Sequence, residues 1–578
     1  MLQSLFLSRI MSLGYLVCLA LITTGCVNWL PADDRIKDFQ PKREALESRY
    51  FDVNILTHDG VKLRATVYQP KLRPGETAPL IIHSHGFAVF RMSGPMSMYG
   101  QMMYAGRAAL NAWHNGYWVI SYDHRGHGGS DGTIRVMHPE YEVRDVSNVI
   151  DWAEKNINRL TFRDRDPVVG MIGESYGGNA ALLGSTVDER IDAIVPITTW
   201  YDLETSLYPN RVPKTGWLTS LVLTANTLNP GNVDPVLNKA YLQAIRGDID
   251  PEIFEYLYDH HPKYVCDRNA APTADTLLIQ GFRDVLFPLN EGVNNLRCIE
   301  RTSQDVRFIG TQGGHLLPLA QFSWVPAYSL EDEVHCGDQT FNLIDTALHW
   351  FDEKLKRVPN AAADIPKVCL TLNEDEGVVL NDIPRGGQPF QFNQVNLSSG
   401  MTGFFETILS PVDSLSSMVV WQQKEQAALK NKDGGFFRPR FEPLYVAKSN
   451  DAVVGIPTVN LQLSSTNDAK DPPIIFMGIG LRRAGTTSVN LINDQIIPVK
   501  AAGQHAFDLP AVSSALEPGD TIGIVIQGYS DQYRLMNTGI TTNAAISGTI
   551  HLPIVSRSES IASTPNIRAP LATHHSIE

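Results

Sequence analysis

The sequence predicts an α/β domain built on a parallel sheet and, after it, an all-β domain. Three observations carry this. Short apolar runs alternate with helical patterns from about residue 80 onward, the alternation breaks once between about Trp200 and Tyr264, and after roughly Val358 the apolar period drops to two. A chain of 578 residues is too long for one ordinary domain, and 43% apolar against 19% charged residues excludes wholesale disorder.

In order along the chain, Tyr50 to Gln69 alternates around Asp59-Gly60 and predicts a β-hairpin. Leu80-Ile81-Ile82 predicts a buried strand, Tyr104–Asn115 a helix and Tyr117–Tyr122 a second buried strand. Helix 140–157 places Val146, Val149, Ile150 and Ala153 on one face. Further strands fall at Val168–Ile172, Ala193–Val195, Thr276–Ile279 and Val306–Ile309, and Phe341–Lys356 closes the domain with a helix. The interruption, about 200–265, is rich in aromatics (Trp200, Tyr201, Tyr208, Trp217, Phe254) and predicts a helical cap over the sheet edge, with an apolar acyl or alcohol pocket beneath it. In the second half, Val459, Leu461 and Leu463 alternate with polar residues, as do Ile522, Ile524 and Ile526, and predict an antiparallel β-sandwich. The expected organisation is a first domain over 48–358, a sandwich over 359–556 and a polar tail over 557–578.

Residues 1–25 read as a signal peptide. A single charge, Arg9, precedes an uncharged apolar stretch that is shorter than the roughly 20 residues a bilayer crossing needs. Thr23-Thr24-Gly25-Cys26 resembles a bacterial lipobox, with Cys26 as the acylated first residue and 26–47 as a tether; a plain secretory signal and an uncleaved anchor are the alternatives. The expected location is the cell envelope, on a membrane through a lipid anchor. The net charge of −14 makes the lipid, not surface charge, the anchor, since anionic headgroups repel the chain. The same charge argues against a nucleic-acid partner, which needs a basic face. Export permits disulfides among Cys266, Cys298, Cys336 and Cys369, with three connectivities and free thiols all open.

The chemistry is carried by Gly173-Glu174-Ser175-Tyr176-Gly177, a G-x-S-x-G pentapeptide between a strand and a helix-forming run. Small residues flank the serine because the chain reverses sharply there and presents it on a strained turn. A second match around Ser130 has no helix after it and reads as a glycine-rich turn. A serine nucleophile needs a base and an orienting acid. Asp284 follows the strand ending at Ile279, and His315 in Gly313-Gly314-His315 follows the strand ending at Ile309, so both fall on loops at the sheet edge that carries Ser175. His335 and His349 are less well placed, in a polar insertion and inside a helix. For the oxyanion, the backbone N–H of Tyr176 is one expected donor and that of Phe87, in the loop after strand 80–82, the second. His83 and His85 lack a third ligand, so no metal and no cofactor is expected.

These residues carry a resemblance. The elbow GESYGG, the loop Asp123 to Gly128 (DHRGHG), the stretch Leu277 to Glu291 and the QGGH at His315 are similar to α/β-hydrolases. With the β-rich second half, the chain resembles the X-prolyl dipeptidyl-peptidase and cocaine-esterase family. The resemblance implies an α/β-hydrolase core, a helical cap and a jelly-roll sandwich, acting on a small-molecule ester or peptide substrate. In well-known members a tyrosine hydroxyl helps bind the oxyanion; Phe87 stands at the aligned position, which favours a carboxylesterase over an X-prolyl dipeptidyl aminopeptidase. The aminopeptidase would hold its substrate's ammonium on a cap carboxylate, with Glu252, Glu255 and Asp259 as candidates. A surface lipoprotein that binds without catalysis is the reading from a different class.

Overall fold

The computed structural model describes residues 44–247, 249–316, 328–373, 375–398, 439–465, 472–528, 530–533 and 543–557. The expected signal peptide, Cys26, most of the tether and the tail beyond Arg557 lie outside them.

The first domain is organised by a ten-stranded mixed sheet. The hairpin strands β1 (Arg49–Leu56) and β2 (Lys62–Gln69) form one edge. Next to them lie β4 (Trp118–Tyr122), β3 (Leu80–Ser84), β5 (Val169–Glu174), β6 (Ile191–Ile197), β7 (Asp275–Gly281) and β8 (Val306–Thr311), in that spatial order. From β4 to β8 every pairing is parallel. The middle strands are buried along their whole length, because helices cover both faces; this is why they read as unbroken apolar runs. α1 (Tyr104–His114) and α10 (Leu343–Lys354) contribute to one core cluster, α2 (Arg144–Asn156), α3 (Tyr176–Val187) and α9 (Leu289–Ile299) to the other.

Between β6 and β7 the cap is five helices: α4 (Leu203–Leu207), α5 (Thr215–Leu228), α6 (Pro235–Ala244), α7 (Pro251–Leu257) and α8 (Pro262–Asp267). Asp or Pro starts most of them: Asp202 caps α4, Asp234 caps α6, and Pro235, Pro251 and Pro262 sit in first turns, where no N–H is needed.

The expected boundary at Val358 is set too early. β9 (Val368–Thr371) pairs in parallel with β8, and β10 (Gly377–Leu380) pairs antiparallel with β9, so both extend the first domain's sheet. Two short strands at a sheet edge give the same brief apolar signal as sandwich strands, and only their pairing distinguishes them.

The second domain is an antiparallel sandwich. One sheet runs β11 (Gln388–Ser398), β17 (Asn543–Leu552), β13 (Thr458–Ser465), β15 (Gly503–Asp508). The facing sheet contains β12 (Arg440–Val446), β16 (Thr521–Gln527) and β14 (Ile474–Arg482). Val459, Leu461 and Leu463 from one sheet meet Ile522, Ile524 and Ile526 from the other in a shared core, which is what their period-two spacing prescribes. Disulfides join Cys266 to Cys298 and Cys336 to Cys369, with Cα separations of 5.8 and 5.4 Å.

Candidate active site

The sheet register brings the chemical residues to one edge. Ser84 pairs with Gly173, Glu174 with Ile197, Ile197 with Ile279, and Ile279 with Ile309. The chain therefore leaves β3, β5, β7 and β8 at the same level, and the loops bearing Phe87, Ser175, Asp284 and His315 begin there. β3 lies between β4 and β5, so the strand order reverses at this point, where parallel sheets leave a crevice.

Ser175 joins β5 to α3 with φ 59° and ψ −117°, a backbone conformation rarely tolerated without glycine. Its N–H is held by the Ile197 carbonyl at 2.8 Å. Gly177 is required because a Cβ there would run into the Ser84 carbonyl as α3 crosses β3. Tyr176 opens α3, so its N–H faces outward at the positive end of the helix. The Phe87 ring packs 5.7 Å from the Tyr176 ring. The neighbouring Gly86 N–H is already taken by the Tyr99 hydroxyl at 2.5 Å. Among the described residues neither the Phe87 nor the Tyr176 N–H has a recorded partner.

Asp284 is fully buried and uses both oxygens. Oδ1 accepts from Leu286 N at 3.1 Å and Phe287 N at 2.7 Å, and Oδ2 is 2.6 Å from His315 Nδ1. With Nδ1 on Asp284, the ring's orientation and tautomer are set by that bond. Gly314 makes this approach possible: its φ is 133°, and a Cβ would lie 2.5 Å from that of Asp284. Phe287 and Trp217 stand edge-on to the imidazole at 5.4 and 6.1 Å and narrow its rotation.

Ser175 opens into an apolar cavity of about 180 Å³ beneath the cap, shared with Phe87, Tyr176, Trp200, Leu286 and Phe287. Phe287 thus touches both the cavity that holds Ser175 and the His315 ring.

The histidines of the Gly-rich loops serve structure. His124 N–H donates to His85 Nε2 at 3.0 Å, Ala88 N–H to His127 Nε2 at 3.1 Å, and His124 Nε2 lies 2.6 Å from the Ser84 hydroxyl. Burial pushes His83 down to about 3 and lowers His124 and His127 as well, so these rings stay neutral. Ser130 likewise donates to Asp123 O and accepts from Arg64 N, inside its turn.

Three residues that the sequence did not single out support the site. Lys214 Nζ is buried and donates to Val285 O and Leu286 O at 3.0 and 2.9 Å; burial lowers it to about 8, against the pull of Asp284 and Glu291. Gln495, from the sandwich domain, donates to Phe282 O at 2.6 Å and Asp284 O at 3.0 Å. Glu291 accepts from Tyr201 N and Asp202 N, both at 2.8 Å, where the chain enters the cap. Their partners are backbone atoms far away in the chain, for which no local motif exists.

A nucleophile-elbow turn at the switch point of such a sheet, under a cap and beside a second β domain, defines the fold of an α/β-hydrolase. The comparisons agree. Residues 59–317 match the X-Pro dipeptidyl-peptidase family (S15 family). A CocE/NonD family hydrolase from Staphylococcus aureus has the same architecture, with a TM-score of 0.57 at 11% identity, over 92% of this chain and 99% of that one. An α-amino acid ester hydrolase superposes with a TM-score of 0.58 at 14% identity, over 91% and 98%. In sequence, 122 residues are 32% identical to an uncharacterised 31.7 kDa protein of Escherichia coli, 20% of this chain and 36% of that protein. This chain thus spans about a third of that relative's length. The family match covers under half of the chain, and the solved structures share its fold.

Proposed function

We propose that the protein is a serine hydrolase that cleaves carboxylic esters through an acyl-enzyme. Ser175 Oγ attacks the acyl carbonyl while His315 Nε2 takes its proton, and Asp284 fixes the imidazole tautomer and balances the charge that forms. The oxyanion is received by the N–H groups of Tyr176 and Phe87. His315 then returns the proton to the departing alcohol as the C–O bond breaks. Water, deprotonated by His315, splits the Ser175 ester and releases the acid. The observation that carries this reading is the 2.6 Å Asp284–His315 bond, set on the edge from which Ser175 enters the cavity.

An ester is favoured over an X-Pro peptide by the missing hydroxyl at Phe87 and by the engagement of Asp202. Asp202 is already held by Lys263 Nζ at 2.8 Å and by the N–H groups of Glu204 and Thr205, so it is not free to take a peptide ammonium. Glu252, Glu255 and Asp259 do not line the cavity; Glu204 does, and is the carboxylate an ammonium would meet. Phe87 supplies no hydroxyl for the oxyanion. The sandwich is read as a jelly roll. Export with Cys26 as a lipid anchor completes the proposal, supported by two disulfides, which persist in oxidising compartments.

Fluorophosphonate labelling tests the enzyme: wild type labels and Ser175→Ala does not, whereas an unlabelled wild type favours a non-catalytic binder. p-Nitrophenyl acetate against Gly-Pro-anilide separates the two substrates, with the ester turned over and the anilide left intact. Metabolic labelling with palmitate, lost in Cys26→Ala, tests the anchor.

A further inference from the structure

Four cap helices contribute apolar side chains to the wall of the cavity. On α6, Leu237, Ala240, Tyr241 and Ala244 recur at the spacing of one helical face. Opposite them stand Leu218, Leu221 and Val222 of α5, again on one face, and Ile253, Phe254 and Leu257 of α7. Leu203 and Leu207 of α4 complete the wall. Most of these side chains are half-buried, while Leu203, Ala244 and Ile253 are buried. That space is large enough for on the order of ten waters, yet its lining offers few polar partners to hold them. An apolar space of this size leaves its walls short of burial that a bound apolar group would supply.

We infer that this space takes the straight aliphatic acyl chain of the substrate, making the protein a hydrolase of medium-chain acyl esters. The assignment rests on the serine-hydrolase reading above. It follows from two features together: Ser175 itself opens into the space, and Leu, Ile, Val and Ala side chains of the cap, the small Ala240 and Ala244 of α6 among them, make up much of its lining. The acyl group is the part that stays on Ser175 through both chemical steps, so it is the part a capped cavity serves; the alcohol must leave between them. Each methylene moved from water into such a space is worth about fourfold in binding.

The test compares p-nitrophenyl acetate with p-nitrophenyl octanoate on the full-length protein. The octanoate is expected to show a kcat/KM at least about tenfold higher. Ala240→Trp and Ala244→Trp, which take up cavity space, are each expected to lower the octanoate-to-acetate ratio at least about tenfold, and fluorophosphonate labelling identifies folded variants. An acetate preference in a labelled wild type, or a ratio unmoved in both labelled variants, overturns the acyl-chain assignment while leaving the hydrolase standing. A gain seen with octyl acetate but not with ethyl octanoate moves the chain to the alcohol side and also overturns it. Displacement of a fluorescent fatty acid by decanoate from a protein that hydrolyses neither ester would keep the cavity's ligand and remove the hydrolase.

Discussion

Lys214 of the cap and Gln495 of the sandwich domain grip the same loop, the one that carries Asp284. Between them they donate to the carbonyls of Phe282, Asp284, Val285 and Leu286. The acid's own side chain holds the N–H groups of Leu286 and Phe287. The loop that orients His315 is thus fixed by two regions that are remote from it in sequence, which gives the second domain a part in positioning the site.

Lys214→Met and Gln495→Leu each strip two donors from that loop and leave buried carbonyls unsatisfied, a cost of about 1–3 kcal/mol apiece. Both are positioning residues, so kcat on p-nitrophenyl acetate is expected to fall about tenfold per labelled site, with KM changed much less. Active-site titration with the fluorophosphonate supplies the denominator. A loss of labelled fraction with full turnover per labelled molecule would reduce both residues to stability alone.

Asp284→Asn keeps the loop's N–H acceptor but removes the charge that faces the imidazolium. A fall in kcat of about 10⁴ is expected, with the thermal midpoint near that of the wild type. Hydrolysis within tenfold of wild type would separate the Asp284–His315 bond from catalysis.

Glu291 sets a pH dependence of stability. Burial, chiefly, pushes its carboxyl up to about 7, although Tyr201 and Asp202 donate to it. A carboxyl raised in the folded state binds its proton more tightly there than in the unfolded chain. The folded protein therefore loses stability as the pH rises from about 4.5 to 7, and above 7 the whole penalty is present. Glu291→Gln keeps an acceptor for both N–H groups without the charge. Its unfolding free energy should exceed that of the wild type at pH 8 by on the order of 3 kcal/mol, and converge on it near pH 4.5. A constant offset across that range would count against a buried, titrating Glu291.

The sheet and the placement of Ser175, Asp284 and His315 at its edge were legible because each has a local signature. Buried parallel strands are continuous apolar runs, an elbow needs glycine at Gly177, and the loops that follow β7 and β8 bear their aspartate and histidine within a few residues of the strand end. The cap was legible only as an interruption, since its helices face a cavity and each other. Lys214, Gln495 and Glu291 were not legible: their partners are carbonyls and N–H groups that exist as a set only after three segments meet. The early boundary at Val358 has the same origin, because β9 and β10 reveal their sheet only through pairing with β8.

The two disulfides supply the last prediction, and it bears on compartment as well as stability. Cys266 ends the cap at α8 and Cys298 lies in α9, so their bond ties the cap's exit to the helix that carries Glu291. The loop it closes spans 32 residues, for which chain entropy gives about 4 kcal/mol. Cys266→Ala with Cys298→Ala is therefore expected to lower the thermal midpoint by several degrees, as dithiothreitol does in the wild type. In protein taken from the cell envelope and denatured without reductant, Cys266, Cys298, Cys336 and Cys369 should all resist maleimide and react only after reduction. Full reaction before reduction would mean four free thiols, and would remove the chemical support for an oxidising compartment.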